Sequence, residues 1–286
     1  MILSNENRNV KYDDKKLTNF HVDITMLIMK FTDKVVIITG ATGGIGLATA
    51  KLFLKNGCKV YGVARKPYAG DDFPCFQADV CDYEEIKRIF KEVYDREGRI
   101  DILVNNAGIG IAGAMEEASA GRIEQIVGVN LTAPCVLSGA IVPYMPAGGK
   151  IINISSVGGI MPLPYQAMYS ATKAGLEVFS RALANEVKPH KIKVCAVLPG
   201  DTKTGFTDAR VCEGENERAK KSVEKMAHDE RHGKSPESVA KVIFKAAKKK
   251  NPPLRVTVGG SYKLLVFLQR ILPVKLVNFI IGKMYT

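Results

Sequence analysis

The chain of 286 residues contains no tryptophan, and its six cysteines form no C-x-x-C pair and no zinc-ligand spacing. This cysteine pattern argues against a disulfide framework or a cysteine-based metal site. We interpret the cysteines as reduced, mostly buried thiols of a cytoplasmic protein. Uninterrupted apolar runs stay well below the ~18 residues that a membrane-spanning helix needs, which argues against a transmembrane segment.

Acidic residues are absent after Glu237, whereas ten Lys and Arg residues follow it, so this stretch carries most of the net charge of +12. Its cations are interspersed with aliphatic residues rather than clustered with aromatic ones, a pattern that disfavours nucleic-acid binding. We expect residues 261–286 to form a basic amphipathic tail. Three roles for it stay open: contact with an anionic membrane surface, cover for a substrate pocket, or a subunit interface.

Residues 31–260 alternate between strand-like and helix-like patterns, and 46% of the chain is hydrophobic. The strand-like runs are 35–39, 59–63, 101–104, 150–154, 192–197 and 255–258, and the helical stretches are 45–56, 83–96, 119–128, 130–144 and 168–187. Such alternation predicts a single α/β domain with a doubly wound parallel sheet and helices on both faces. Residues 1–30 are predicted to be a disordered leader, or to precede a start at Met26 or Met29.

A glycine-rich turn follows the first predicted strand and opens the first predicted helix. It contains Gly40, Gly44 and Gly46 in the segment Thr39–Gly46. Glycines in this context let the backbone approach a pyrophosphate, whose charge lies at the helix N-terminus. The order of strand, turn and helix therefore favours a Rossmann-type dinucleotide site over an ordinary turn.

Tyr169 and Lys173 are four residues apart, with Ser156 thirteen residues upstream. Positions i and i+4 share one face of a helix, so we expect the ammonium group of Lys173 beside the phenol of Tyr169. A nearby cation would lower the phenol pKa from its ordinary value near ~10. The pair alone also occurs by chance on solvated helices, and its interpretation depends on the other motifs.

Six motifs together resemble the short-chain dehydrogenase/reductase family over residues 31–205. They are Thr39-Gly-x-x-x-Gly44-Ile45-Gly46, Asn105-Asn106-Ala107-Gly108, Asn130, Ser156, Tyr169-x-x-x-Lys173 and Pro199-Gly200. Pocket loops at 106–116, 156–164 and 199–206 resemble the hydroxysteroid and retinol dehydrogenase branch.

The resemblance implies an oxidoreductase and assigns its site residues. Tyr169 would be the general acid or base, Lys173 would lower its pKa and bind the nicotinamide ribose, and Ser156 would polarise the substrate carbonyl. Asn130 would hold a water that relays protons towards Lys173. The implied cofactor-binding residues are Gly40, Thr42, Gly44, Ile45, Gly46, Arg65, Asp79, Asn106, Tyr169, Lys173 and Thr204, with Asp79 on the adenine and Thr204 on the carboxamide.

The end of the second strand bears on the choice of cofactor. An NAD site usually has an acidic residue there, whereas this chain has Ala64 followed by Arg65 and Lys66. A guanidinium can pair with a 2′-phosphate, so we predict NADP(H), although surface cations after a strand are common.

The predicted substrate is a hydrophobic ketone or secondary alcohol, steroid-like in the first instance. Apolar residues near the expected site mouth indicate a greasy pocket, although several could equally belong to the core: Ile109, Ile111, Met115, Met161, Leu163, Pro164 and Phe206. A 3-oxoacyl or other lipid ketone is the alternative substrate, and a non-catalytic NADP(H) sensor is the alternative function. Charge-dense residues 207–234 would form a solvated helix face or a lid. We expect a homodimer or homotetramer.

Overall fold

Nine strands are present in the computed structural model, which describes residues 31–285. They are β1 (Val35–Thr39), β2 (Lys59–Ala64), β3 (Cys75–Gln77), β4 (Ile102–Asn105), β5 (Ile111–Gly113), β6 (Lys150–Ile154), β7 (Lys193–Leu198), β8 (Val211–Glu213) and β9 (Arg255–Thr257). Seven of them form a parallel sheet in the order β3-β2-β1-β4-β6-β7-β9, and β5 pairs with β8 in a small parallel ribbon. The order steps outward from β1 in both directions, which is the doubly wound arrangement predicted from the sequence.

The helices cover both faces of this sheet. They are α1 (Gly44–Lys55), α2 (Tyr83–Glu97), α3 (Ala120–Val127), α4 (Ala133–Ala140), α5 (Ala167–Glu186), α6 (Glu217–Arg231), α7 (Pro236–Lys248), α8 (Gly260–Ile271) and α9 (Val274–Tyr285). On one face, a core cluster joins the central strands to α2, α4 and α5 through residues such as Ile37, Phe90 and Leu103. On the other face α1 packs against α7, where the rings of Phe53 and Phe244 meet edge to face at 5.2 Å.

Continuously apolar strands are what burial on both faces requires. All five residues of β1 and of β6 are buried, as expected for central strands of a parallel sheet. Helix α2 begins at Asp82, whose side chain accepts a hydrogen bond from Glu85 N, and ends at Gly98 with φ +73°. Both caps are ordinary helix signals. The fold class predicted from the sequence is confirmed.

A buried polar network crosses the sheet below the carboxyl ends of its strands. The Asn105 amide donates to Asn153 Oδ1 (2.8 Å) and to Ser138 Oγ (2.9 Å), and the Asn153 amide donates to Ser180 Oγ (2.9 Å). These bonds tie β4 and β6 to α4 and α5. Since buried polar groups are costly unless paired, the network favours one register among these elements.

The structure departs from several of the predicted elements. A π-helical turn at Gly128–Thr132 joins α3 to α4, so the predicted helix 130–144 is shorter than expected. The three-residue strands β3, β5 and β8 were not predicted, because they are too short to show a periodic pattern. The expected leader, residues 1–30, lies outside the described residues.

The predicted C-terminal tail forms the helices α8 and α9, which we call the terminal helical pair. Their side chains alternate between a face turned towards the domain, including the buried Val266 and Ile281, and an exposed apolar face. Within residues 31–285, no helix combines the length and apolarity that a bilayer crossing requires.

Candidate active site

A cleft of about 740 Å³ opens where the carboxyl ends of the central strands meet. Gly40 follows β1, Asn106 follows β4, Ser155 follows β6 and Pro199 follows β7, and all four line it. The position agrees with the general rule for ligand sites in open parallel sheets. The terminal helical pair closes another side of the same cleft with apolar residues including Leu265, Leu268, Leu272, Val277, Ile280 and Met284.

The glycine turn holds the backbone in a form that a side chain would disrupt. Gly40 has φ +67°, in the left-handed region. A Cβ added to Gly46 would lie 2.1 Å from Gly40 O, so no other residue fits there without movement. The first residues of α1 line the cleft. Within residues 31–285, no side chain caps this helix at Gly43, and its first turn contains no acidic residue. The main-chain N–H groups at the start of α1 and the open glycine surface therefore fit the pyrophosphate of a dinucleotide.

Asn106 joins this turn to β4. Its amide donates to Thr39 O (2.9 Å) and Gly40 O (3.2 Å), while the main-chain nitrogens of Asn106 and Ala107 donate to Thr39 Oγ1 (3.0 Å each). Asn106 therefore positions the turn while also lining the cleft.

Ser156 and Tyr169 face the cleft together, as the sequence predicted. Ser156 Oγ accepts from Gly158 N (3.1 Å), and its hydroxyl group is close enough to the phenol to affect its ionisation. The pKa of Tyr169 is raised, chiefly by burial and further by Glu230, whereas the hydrogen bond with Ser156 and the charge of Arg210 oppose the rise. Tyr169 therefore remains a neutral phenol, which can donate a proton.

Lys173 lies beside Tyr169, as expected from the helical spacing, and its amine is hydrogen-bonded to β6. Its Nζ is 5.8 Å from the Tyr169 ring centroid and donates to Ile154 O at 2.9 Å. Burial lowers the pKa of Lys173 to about 8, and Lys173 is not among the groups that shift Tyr169. The Lys173 amine turns towards β6, and burial is the largest influence on the phenol. The effect of Lys173 on the Tyr169 pKa therefore stays a prediction.

Asn130 lies in the π-helical turn and is fully buried. Its Nδ2 donates to Ile109 O (2.9 Å), and its Oδ1 accepts from Ile109 N (2.8 Å). A Cβ added to Gly108 would lie 3.3 Å from Asn130 Oδ1 and 3.5 Å from Lys173 Nζ, so both groups border the same glycine. These two bonds hold the Asn130 side chain on the main chain of Ile109, and the predicted relay water stays a prediction.

The other predicted cofactor residues divide into two groups. Thr42, Gly44, Ile45 and Thr204 line the cleft, and the Thr204 side chain packs over Gly44. Arg65 and Asp79 are exposed outside it, with Asp79 Oδ1 accepting from Cys81 N (2.9 Å). After β2, Lys66 is the cation that lines the cleft.

The predicted apolar mouth is brought together only in part. Met161, Leu163 and Phe206 line the cleft. Ile111 and Met115 instead line a separate small pocket beside β5, and Ile109 packs against the cluster that contains Val80 and Val129. The alternative of a packing residue therefore fits Ile109, whereas Met115 is 46% exposed and lies outside the cleft.

Sequence reasoning missed a polar group at the wall opposite the glycine turn. It contains Asp201, Glu230, Tyr262 and Tyr285, all lining the cleft. Asp201 follows the Pro199-Gly200 motif, where an aspartate is an unusual residue for the family that the chain resembles. This was the signal that could have drawn attention to the polar group. Tyr262 and Tyr285 carry no local signal, because only the packing of the terminal helical pair brings them to the site.

The arrangement suits acid–base chemistry on a carbonyl. A buried neutral phenol and a serine hydroxyl converge where an apolar cleft could hold a ketone, so that one could donate a proton and the other polarise the oxygen. The glycine turn and the adjoining walls fit a nicotinamide dinucleotide, which would supply the hydride.

Comparison with known proteins gives the same picture. Residues 34–213 match the short chain dehydrogenase family model. The chain is 40% identical to the 3-ketodihydrosphingosine reductase of Bacteroides thetaiotaomicron, over 81% of this chain and 90% of that protein. It is 33% identical to a 3-oxoacyl-[acyl-carrier-protein] reductase of Thermotoga maritima, over 76% and 91%. A short-chain dehydrogenase of Streptomyces avermitilis superposes with a TM-score of 0.76 at 33% identity, over 84% of this chain and 92% of that one.

Replacing Tyr169 by Phe tests the proton donor. Loss of general acid catalysis should lower turnover by about 10²–10⁴. The matched control is cofactor affinity, measured by fluorescence titration, which should change little because the ring is retained. A variant that kept more than about a tenth of wild-type turnover, with chemistry rate-limiting, would show that another group donates the proton.

Proposed function

We propose, for a chain that belongs to the short-chain dehydrogenase/reductase family of oxidoreductases, that it uses NADPH to reduce the ketone of a long-chain lipid. The observation that carries this proposal is the apolar cleft, which runs from the Ser156 and Tyr169 hydroxyl groups to the terminal helical pair. An alkyl chain could lie against this wall while its carbonyl meets the two hydroxyls.

Relatives support a lipid ketone more than the steroid-like substrate expected from the pocket loops. Both relatives have names that specify a 3-keto group, carried by dihydrosphingosine in one case and by an acyl group in the other. The apolar wall also suits a flexible chain, since it consists of aliphatic and Met side chains on two helices.

The protonated phenol of Tyr169 is compatible with its proposed role in reduction. Burial raises its pKa, so the neutral phenol can donate a proton to the carbonyl oxygen as the hydride arrives.

The preference for NADPH rests on the residues that follow β2. The strand ends at Ala64 rather than at a carboxylate, so no acidic side chain stands at that position to repel a 2′-phosphate. Arg65 is exposed next to it, and Lys66 lines the cleft. We assign the phosphate contact to Arg65, with Lys66 as the nearest second cation.

The terminal helical pair supports peripheral contact with an anionic membrane. Six of its exposed large apolar side chains do not line the cleft: Leu264, Phe267, Ile271, Val274, Leu276 and Phe279. Exposed cations lie among them, including Lys263, Arg270 and Lys275. Basic charge next to apolar side chains complements an anionic bilayer. The same helices wall the cleft, so both membrane contact and pocket cover are compatible with this structure.

We also propose that the chain forms a homodimer or homotetramer. A measurement of its molecular mass in solution tests this.

The substrate class is tested by initial rates with NADPH on a panel of ketones. We expect 3-ketodihydrosphingosine or a long-chain 3-oxoacyl thioester to give kcat/KM above that of a steroid ketone, because a flexible chain can follow the aliphatic wall, and at least about tenfold above that of short-chain ketones, since each buried CH₂ contributes about 0.8 kcal/mol. Short-chain versions of the same ketones are the matched control and should react poorly. A steroid preferred over every chain substrate would contradict the lipid assignment.

Cofactor choice is tested by Arg65→Ala beside Lys66→Ala. A charged hydrogen bond contributes about 1.5–3 kcal/mol, so Arg65→Ala should weaken NADPH binding by about ten- to a hundredfold and leave NADH nearly unaffected. Lys66→Ala should have the smaller effect. Titration of both cofactors measures this, and a wild-type preference for NADH would refute the assignment.

Membrane contact is tested by co-sedimentation with phosphatidylcholine vesicles of increasing phosphatidylserine content. Binding should rise with the anionic lipid and fall with salt. A fully buried phenyl group contributes about 1.5–3 kcal/mol, so Phe267→Ser with Phe279→Ser should weaken binding by about a hundredfold or more. The control pair is Val178→Ser with Leu254→Ser, which are exposed apolar positions outside the terminal helical pair. If the wild type does not bind anionic vesicles at low salt, membrane contact is refuted, and pocket cover or a subunit interface remains as the role of the terminal helical pair.

A further inference from the structure

Asp201 lies close to the reacting end of the cleft. It follows Pro199 and Gly200 at the end of β7, and Val157 N donates to Pro199 O at 2.9 Å. This bond places the segment that carries Asp201 beside Ser156. Lys234 N donates to Asp201 O (2.9 Å), which fixes the loop on its other side.

Two carboxylates line the cleft, and they differ in their partners. Glu230 is paired with Arg210, whose side chain is 2% exposed, and it also accepts from Thr207 Oγ1 at 2.7 Å. Its charge is therefore compensated within the protein.

Asp201 has no ion pair of its own among residues 31–285, although the charge of Arg210 also acts on its carboxyl. Its Oδ2 accepts from the Tyr262 hydroxyl, and its main-chain nitrogen donates to the Tyr262 oxygen (3.2 Å). Burial is the largest influence and raises the pKa of this carboxyl; Glu230 and Asp229 act in the same direction, whereas the hydrogen bond from Tyr262 and the charge of Arg210 oppose the rise. An unpaired carboxylate beside an apolar wall is costly, and a cationic ligand group would relieve that cost.

We propose that Asp201 binds an ammonium group of the substrate, so that the ketone carries an amino group close to its carbonyl and a long alkyl chain beyond it. The proposal rests on the proposed reduction of a lipid ketone and specifies its substrate class. The carbonyl meets Ser156 and Tyr169, the ammonium group meets Asp201, and the chain lies along α8 and α9. A 3-oxoacyl thioester, which has no such cation, would leave Asp201 unpaired.

The competing explanation is mechanical: Asp201 could serve only to hold α8 through Tyr262. Two substitutions separate these roles. Asp201→Asn removes the charge but leaves an amide oxygen that can accept from the Tyr262 hydroxyl, whereas Tyr262→Phe removes that hydrogen bond and keeps the carboxylate.

The experiment compares 3-ketodihydrosphingosine with the same chain carrying a hydroxyl in place of the amino group. In the wild type, kcat/KM should favour the amino ketone. Asp201→Asn should lower kcat/KM for the amino ketone by about ten- to a hundredfold, mainly through KM, and should lower it far less for the neutral ketone. Tyr262→Phe should preserve the preference for the amino ketone.

Equal losses on both ketones in Asp201→Asn would overturn the proposal and leave Asp201 as a support for α8. A wild type that reduces both ketones equally well would also overturn it, while the proposed lipid ketone reduction would stand. A wild type that reduces neither, nor any other lipid ketone, would refute the proposed function itself. Thermal unfolding of each variant shows whether a loss reflects misfolding.

Discussion

The attachment of α5 to the end of β6 is the constraint on which the site depends. Lys173 Nζ donates to Ile154 O (2.9 Å), and Ser155 Oγ donates to Lys173 O (2.7 Å). Both bonds are buried, so breaking either would leave a costly unpaired group. They hold Tyr169, one turn earlier on α5, opposite Ser156, the residue after Ser155. The two hydroxyl groups thus meet because a helix and a strand are bonded at their shared edge.

The terminal helical pair adds what the parallel sheet alone could not provide. Strand ends and the glycine turn offer polar and backbone groups, whereas the opposite wall consists of side chains from α8 and α9. Tyr262 packs over Gly200 and bonds to Asp201, so the first of these helices is attached to the loop after β7. The polar groups near Ser156 and Tyr169 and the apolar wall of the cleft therefore come from different parts of the chain.

Local patterns were sufficient to predict the sheet, because buried parallel strands and the glycine turn have signatures within a few residues. The reacting groups were assigned from the family resemblance, and their roles stay predictions. The structure has β1 at Val35–Thr39 and β6 at Lys150–Ile154, as predicted. The direction of the Lys173 amine could not be predicted, since helical spacing gives proximity to Tyr169 but not the competing carbonyl of Ile154. The position of α8 and α9 along the cleft could not be predicted either, because it depends on contacts between residues distant in sequence.

If the chain has the proposed function, the cleft orients an amphiphilic substrate because one end of the cleft favours a cation and the other favours an alkyl chain. Near Ser156, Asp201 has no ion pair of its own, so this end disfavours an alkyl group and favours a cation. Along Leu268 and Leu272 the lining is mainly aliphatic, with the uncharged Gln269 between them, and burial of methylenes favours the chain. A molecule with a cation at one end and a chain at the other would satisfy both only in one direction. That direction places a carbonyl next to the cation beside Tyr169, so the same forces that bind the substrate would also select the carbon that is reduced.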